Sequence, residues 1–115
     1  ADDLLRLARA AKLEHEVPLA RHTYTTLRTR FPGTRQASLA AFELGRLAPS
    51  LSEAADYYAH YLAEHPEGPL AREALGRLLE ARASTHDARA AEVARSYLQQ
   101  FPDGPHAALA RSLAP

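Results

Sequence analysis

Ala20-x3-Tyr24-x2-Leu27-x3-Phe31-Pro32, Ala54-x3-Tyr58-x2-Tyr61-x3-His65-Pro66 and Ala90-x3-Ala94-x2-Tyr97-x3-Phe101-Pro102 are three copies of one stretch, and their reading decides the fold. Spacings of four, three and four put the named side chains on one stripe of a helix. The small alanine at the front lets a neighbouring helix approach, and the aromatic behind it fills the wider gap. Each copy runs into a break, at Pro32-Gly33, at Pro66-Glu67-Gly68-Pro69 and at Pro102-Asp103-Gly104-Pro105. Proline ends a helix because it lacks the N–H and its ring clashes with the preceding turn. Glycine takes the backbone angles of a tight turn, and Pro69 and Pro105 suit the first turn of the next helix. Pro32 and Pro66 are 34 residues apart, and Pro66 and Pro102 are 36.

A second pattern precedes the first in each unit. It reads Leu-small-Arg, as Leu7-Ala8-Arg9, Leu44-Gly45-Arg46, Leu75-Gly76-Arg77 and Leu109-Ala110-Arg111. Each unit is then helix, turn, helix, break. The spacing predicts seven helices, near 2–13, 18–31, 35–48, 51–65, 69–83, 87–101 and 105–113. Ser50-x-x-Glu53 is a capping box that supports the fourth start. Pro49 and the run Ser84-Thr85-His86-Asp87 mark turns inside units.

Composition agrees. The 115 residues hold 25 Ala and 18 Leu but no Ile and only two Val, Val17 and Val93, so the chain is rich in helix formers and poor in strand formers. The expected class is all-α, in one domain spanning 1–115. Fourteen basic residues balance fourteen acidic ones, which argues against a nucleic-acid binder driven by bulk charge. The absence of cysteine removes disulfides, thiolate nucleophiles and Cys-based metal sites. No apolar run nears the ~20 residues a membrane-spanning helix needs. With no starting Met and no signal peptide, the chain is expected to be a segment of a longer or processed protein.

A small residue at position 8, Ala at 20, an aromatic at 24 and Pro at 32 of a 34-residue helical hairpin resembles the tetratricopeptide repeat. The resemblance covers the whole chain as about three and a half repeats, near 1–34, 35–68 and 69–104, with 105–115 as a capping helix. It implies a right-handed α-solenoid whose first helices line a concave groove that binds a peptide or helix. Position 9 would point into that groove and carries Arg9, Arg46, Arg77 and Arg111, with Lys12 one turn after Arg9. Such a ladder of guanidinium groups suits an acidic partner. Glu73 with Arg77 and Glu43 with Arg46 also read as ordinary salt bridges of a solvated helix face. Phe42 and Glu73 are expected among the groove contacts with these bases, and Tyr57 lies off the apolar stripe, where a convex-face contact is expected. The Pro-x-Gly-Pro linker resembles the repeats of bacterial envelope and outer-membrane lipoprotein-associated proteins, which favours a periplasmic or envelope location.

No catalytic constellation stands out. The six histidines (His15, His22, His60, His65, His86, His106) show no metal-ligand spacing, and no nucleophile elbow or Gly-rich phosphate loop occurs. Neither an enzyme nor a cofactor is expected. The leading expectation is a protein–protein interaction module. The alternative is a spacer or oligomerisation domain appended to a bacterial regulator or envelope lipoprotein, self-associating through the C-terminal helix. Leu109 and Leu113 of that helix are expected to face inward, with His106 and Ser112 toward water.

Overall fold

The computed structural model describes residues 1–114; Pro115, the last residue of the expected cap, lies outside the described residues. These residues form seven helices and no strand: α1 (Asp2–Leu13), α2 (Val17–Arg30), α3 (Arg35–Leu47), α4 (Leu51–Glu64), α5 (Ala71–Ser84), α6 (Ala90–Gln100) and α7 (Ala107–Leu113). Each helix packs on the next in chain order, giving a body of 45 × 25 × 20 Å. The three later starts sit two or three residues beyond the expected ones. A single turn leads into each, closed by Ala71 N–H on the Gly68 carbonyl, Ala90 N–H on Asp87 and Ala107 N–H on Gly104. Pro69 and Pro105 therefore occupy the lead-in turn, not the helix proper.

The repeated stripe is the core. Tyr24, Tyr61 and Tyr97 are fully buried, Tyr58 nearly so, and Ala20, Ala54, Ala90 and Ala94 lie beside them. Phe31 and Phe101 pack half-buried against the same clusters.

The breaks are latched in two ways. At the second and third, a core tyrosine hydroxyl reaches out of the helix and accepts a backbone N–H nine residues on: Leu70 to Tyr61 at 3.1 Å and His106 to Tyr97 at 3.0 Å. A Cβ on Gly68 or Gly104 would fall on that hydroxyl, so these positions need glycine for closeness. At the first break the tyrosine's place is taken by Leu27, which has no hydroxyl. There Gly33 adopts φ +78°, and Thr34 caps α3 by accepting the Ala37 N–H at 3.1 Å. Ser50 caps α4 likewise, accepting from Glu53 N–H at 3.2 Å.

One correction concerns α7, at His106. Leu109 and Leu113 do pack, partly buried, on the core. His106, however, does not face water freely. Its ring lies over Gly76 and edge-on to Tyr97, and it pairs with the Glu80 carboxylate. Ala94 stands where the earlier repeats have tyrosine, and the smaller side chain leaves less of that space filled from α6.

Candidate functional site

The candidate site is the set of charged residues on the first helices of the hairpins. Its register differs from the expected one. Residues 40–46 of α3 and 74–80 of α5, 34 apart, have the same succession of buried and exposed positions. This interval equals that from Pro32 to Pro66, so it is the structural repeat. Counting by it, Arg9 corresponds to Glu43 and then Arg77, while Lys12 corresponds to Arg46 and then Glu80. In this register Leu7-Ala8-Arg9 matches Leu75-Gly76-Arg77, whereas Leu44-Gly45-Arg46 is displaced by three residues, so the Leu-small-Arg triplets are not all equivalent positions. Burial says the same: Leu7 is 61% exposed, against 1% for Leu44. The arginines make no uniform ladder; across α1, α3 and α5 the row Arg9, Glu43, Arg77 alternates in sign, while the row Lys12, Arg46, Glu80 runs through two cations to a carboxylate.

The geometry follows from that alternation. Between α1 and α3, Lys12 Nζ donates to Glu43 Oε2 at 2.7 Å, a hydrogen-bonded ion pair only partly exposed. Arg46, a turn along α3, approaches the other oxygen of Glu43 at 3.5 Å. Two cations thus share one carboxylate, and Arg9 makes no ion pair among the described residues. Beneath them lies Tyr24, whose buried hydroxyl has no hydrogen-bond partner among the described residues. Burial, with Glu43 nearby, pushes its pKa up to about 12.

Between α3 and α5 the corresponding places hold Arg46 and Arg77. They border a cleft of about 360 Å³, walled by Ala48, Pro49, Leu51 and Ala54 on one side and Glu80, Ala81 and Ser84 on the other. Tyr58, the counterpart of Tyr24, lines it. Its hydroxyl is pushed up by burial, with the Arg77 guanidinium opposing the rise. Arg77 also donates to Glu73 at 3.0 Å from one turn earlier, as the sequence led one to expect. Such an exposed pair contributes only ~0.2–1 kcal/mol.

Not every expected site residue is brought to this surface. Phe42 is 2% exposed and meets Tyr58 and Tyr61 with ring centroids at 5.4 and 5.8 Å. It is a core residue, at the place held by Ala8 in the first repeat, and cannot touch a partner. Tyr57 is half-buried against the first cluster and offers only part of its ring. Arg111 is exposed on the short α7, outside the alternating row, and makes no ion pair among the described residues. Glu43 and Glu80 were missed as site residues, although counting 34 forward from Arg9 and 68 from Lys12 finds them. A separate network, Arg28 to Glu64 at 2.8 Å with Ser38 donating to the same carboxylate at 2.7 Å, ties α2, α3 and α4 together and holds the Glu64 carboxyl below its ordinary range.

Among the described residues no group of three or more His, Cys, Asp or Glu gathers to hold a metal, and no helix is long and apolar enough to cross a membrane. Neither a family model nor a curated protein matches the chain.

Proposed function

We propose that the chain is a protein–protein interaction module of tetratricopeptide type, a right-handed stack of about three and a half helical hairpins closed by α7. Its partner is a peptide segment or helix carrying acidic groups, held against the first helices α1, α3 and α5. One observation carries this reading: cations outnumber carboxylates where those helices meet, with Lys12 and Arg46 sharing Glu43 beside an unpaired Arg9. Binding of this kind needs only preorganised side chains on rigid helices and no chemistry at the site. The test is a panel of twelve-residue peptides, acidic or with each acid replaced by its amide, titrated at low and moderate salt. Acidic peptides should bind, weaken with salt, and lose affinity to an Arg9/Lys12/Arg46→Ser variant. Equal binding of both peptide sets would remove the reading.

A second reading, a spacer or oligomerisation domain, is favoured by the exposed Leu7, Leu13, Leu19 and Leu51. It predicts concentration-dependent association of the pure chain by sedimentation, abolished by Leu7→Lys and Leu13→Lys.

A further inference from the structure

The two junctions between first helices are built from the same places but carry different charges. At the first, Lys12 of α1 and Glu43 of α3 close on each other at 2.7 Å. At the second, the equivalent pair is Arg46 of α3 and Arg77 of α5, two guanidinium groups bordering an open cleft. Among the described residues no carboxylate pairs with either across this junction: Glu43 and Glu73 approach from within their own helices, and Glu80, which also lines the cleft, is paired with His106. The tyrosines below register the same exchange. Glu43 adds to the rise at Tyr24, whereas Arg77 opposes it at Tyr58.

We infer that the cleft between α3 and α5 takes an acidic side chain of the partner peptide, which stands between Arg46 and Arg77 as Glu43 stands beside Lys12. The planar, bidentate donors of two arginines match a carboxylate. Of the intrahelical pairs that now occupy them, Arg77–Glu73 is exposed and weak and Arg46 only approaches Glu43 at 3.5 Å, so both guanidinium groups can turn to an incoming acid. The lining also offers apolar surface, from Ala48, Leu51 and Ala54 with the Tyr58 ring, that accepts an aliphatic neighbour of that acid. This inference rests on the interaction-module reading and adds where the acid goes and what stands next to it.

The test uses the whole chain and a capped probe, acetyl-Leu-Glu-Leu-amide, with acetyl-Leu-Gln-Leu-amide as its neutral twin. Binding is followed by backbone amide shifts in NMR. The expected result is millimolar binding with shifts concentrated at Gly45, Ala48, Ala54, Ala81 and Ser84, weakened at least about fivefold by the Gln twin. Arg77→Glu rebuilds the first junction's pair with Arg46. It should abolish probe binding while the chain keeps its helicity and cooperative unfolding. Arg77→Gln should weaken binding without rebuilding the pair, and guards against a failure of the Glu variant to fold. Shifts confined to Arg9, Lys12 and their neighbours, unaffected by either variant, would overturn the cleft assignment and leave the module reading standing. Equal binding of the two probes would overturn the acidic choice. Probes that bind nowhere, together with acidic peptides that fail in the longer panel, would remove both readings.

Discussion

Tyr97→Phe separates a hydroxyl that latches the fold from one that does not. The Tyr97 oxygen accepts the His106 N–H at 3.0 Å, and that bond joins α6 to the residue that immediately precedes α7. Removing it forfeits a hydrogen bond with a net value of about 1 kcal/mol and leaves a part-buried N–H without its partner, which costs about 1 kcal/mol more. Tyr61→Phe removes the same bond to Leu70 and should cost the same. Tyr24→Phe is the control, equally buried but with a hydroxyl that has no partner among the described residues. Deleting an unpaired buried hydroxyl relieves its desolvation cost, so stability should stay level or rise by up to about 1 kcal/mol. For a chain of this size about 1 kcal/mol moves Tm by roughly 4 °C. Thermal unfolding followed by circular dichroism should therefore show Tyr61→Phe and Tyr97→Phe some 4–8 °C below wild type, from about 1–2 kcal/mol each. Tyr24→Phe should lie at or above wild type. A drop at Tyr24 matching the other two would refute the reasoning, because ring packing and not hydroxyl pairing would then set all three.

Other outcomes follow from the same contacts. Phe42→Ala empties the space between Tyr58 and Tyr61 and should cost about 3–5 kcal/mol in denaturant unfolding. A conservative Phe42→Leu that keeps the fold should leave peptide affinity unchanged. Gly45→Ala places a Cβ 2.8 Å from the Tyr58 ring and should cost about 1–3 kcal/mol. Gly33→Ala meets no atom within 4 Å and pays for its positive φ alone, about 1–2 kcal/mol. Glu64 has its carboxyl held below its ordinary value of 4.5, first by the Arg28 hydrogen bond. Its contribution is present above that value and is lost as pH falls through the lower folded one. A Glu64→Gln variant should thus differ most from wild type near neutral pH, and the two urea midpoints should converge in acid.

Much of this architecture is legible in the chain because it depends on residues that act locally. Pro32, Pro66 and Pro102 end helices wherever they stand, and the Ala-x3-aromatic stripe finds its neighbour by shape. The site is less legible. Leu-Gly-Arg at 44–46 and 75–77 are alike as words and draw the eye to the wrong register, whereas the 34-residue interval, matched by the burial pattern, makes Glu43 and not Arg46 the counterpart of Arg77. Phe42 illustrates the same limit. A large ring replaces the small Ala8 at its place, and the rings that enclose it, Tyr58 and Tyr61, lie on another helix. His106 acquires its role from Gly76 and Glu80, which lie on another helix and have no spacing relation to it.

The most direct test of the interaction reading is affinity capture from the source cell at low and moderate salt. Wild type would be run beside an Arg9/Lys12/Arg46/Arg77→Ser variant first established as helical and monodisperse, and the captured protein would then be reconstituted from pure components. The account predicts a partner with an acidic segment whose pure complex weakens with salt and is lost in the variant. A reconstituted complex that survives both the substitutions and the salt would contradict it.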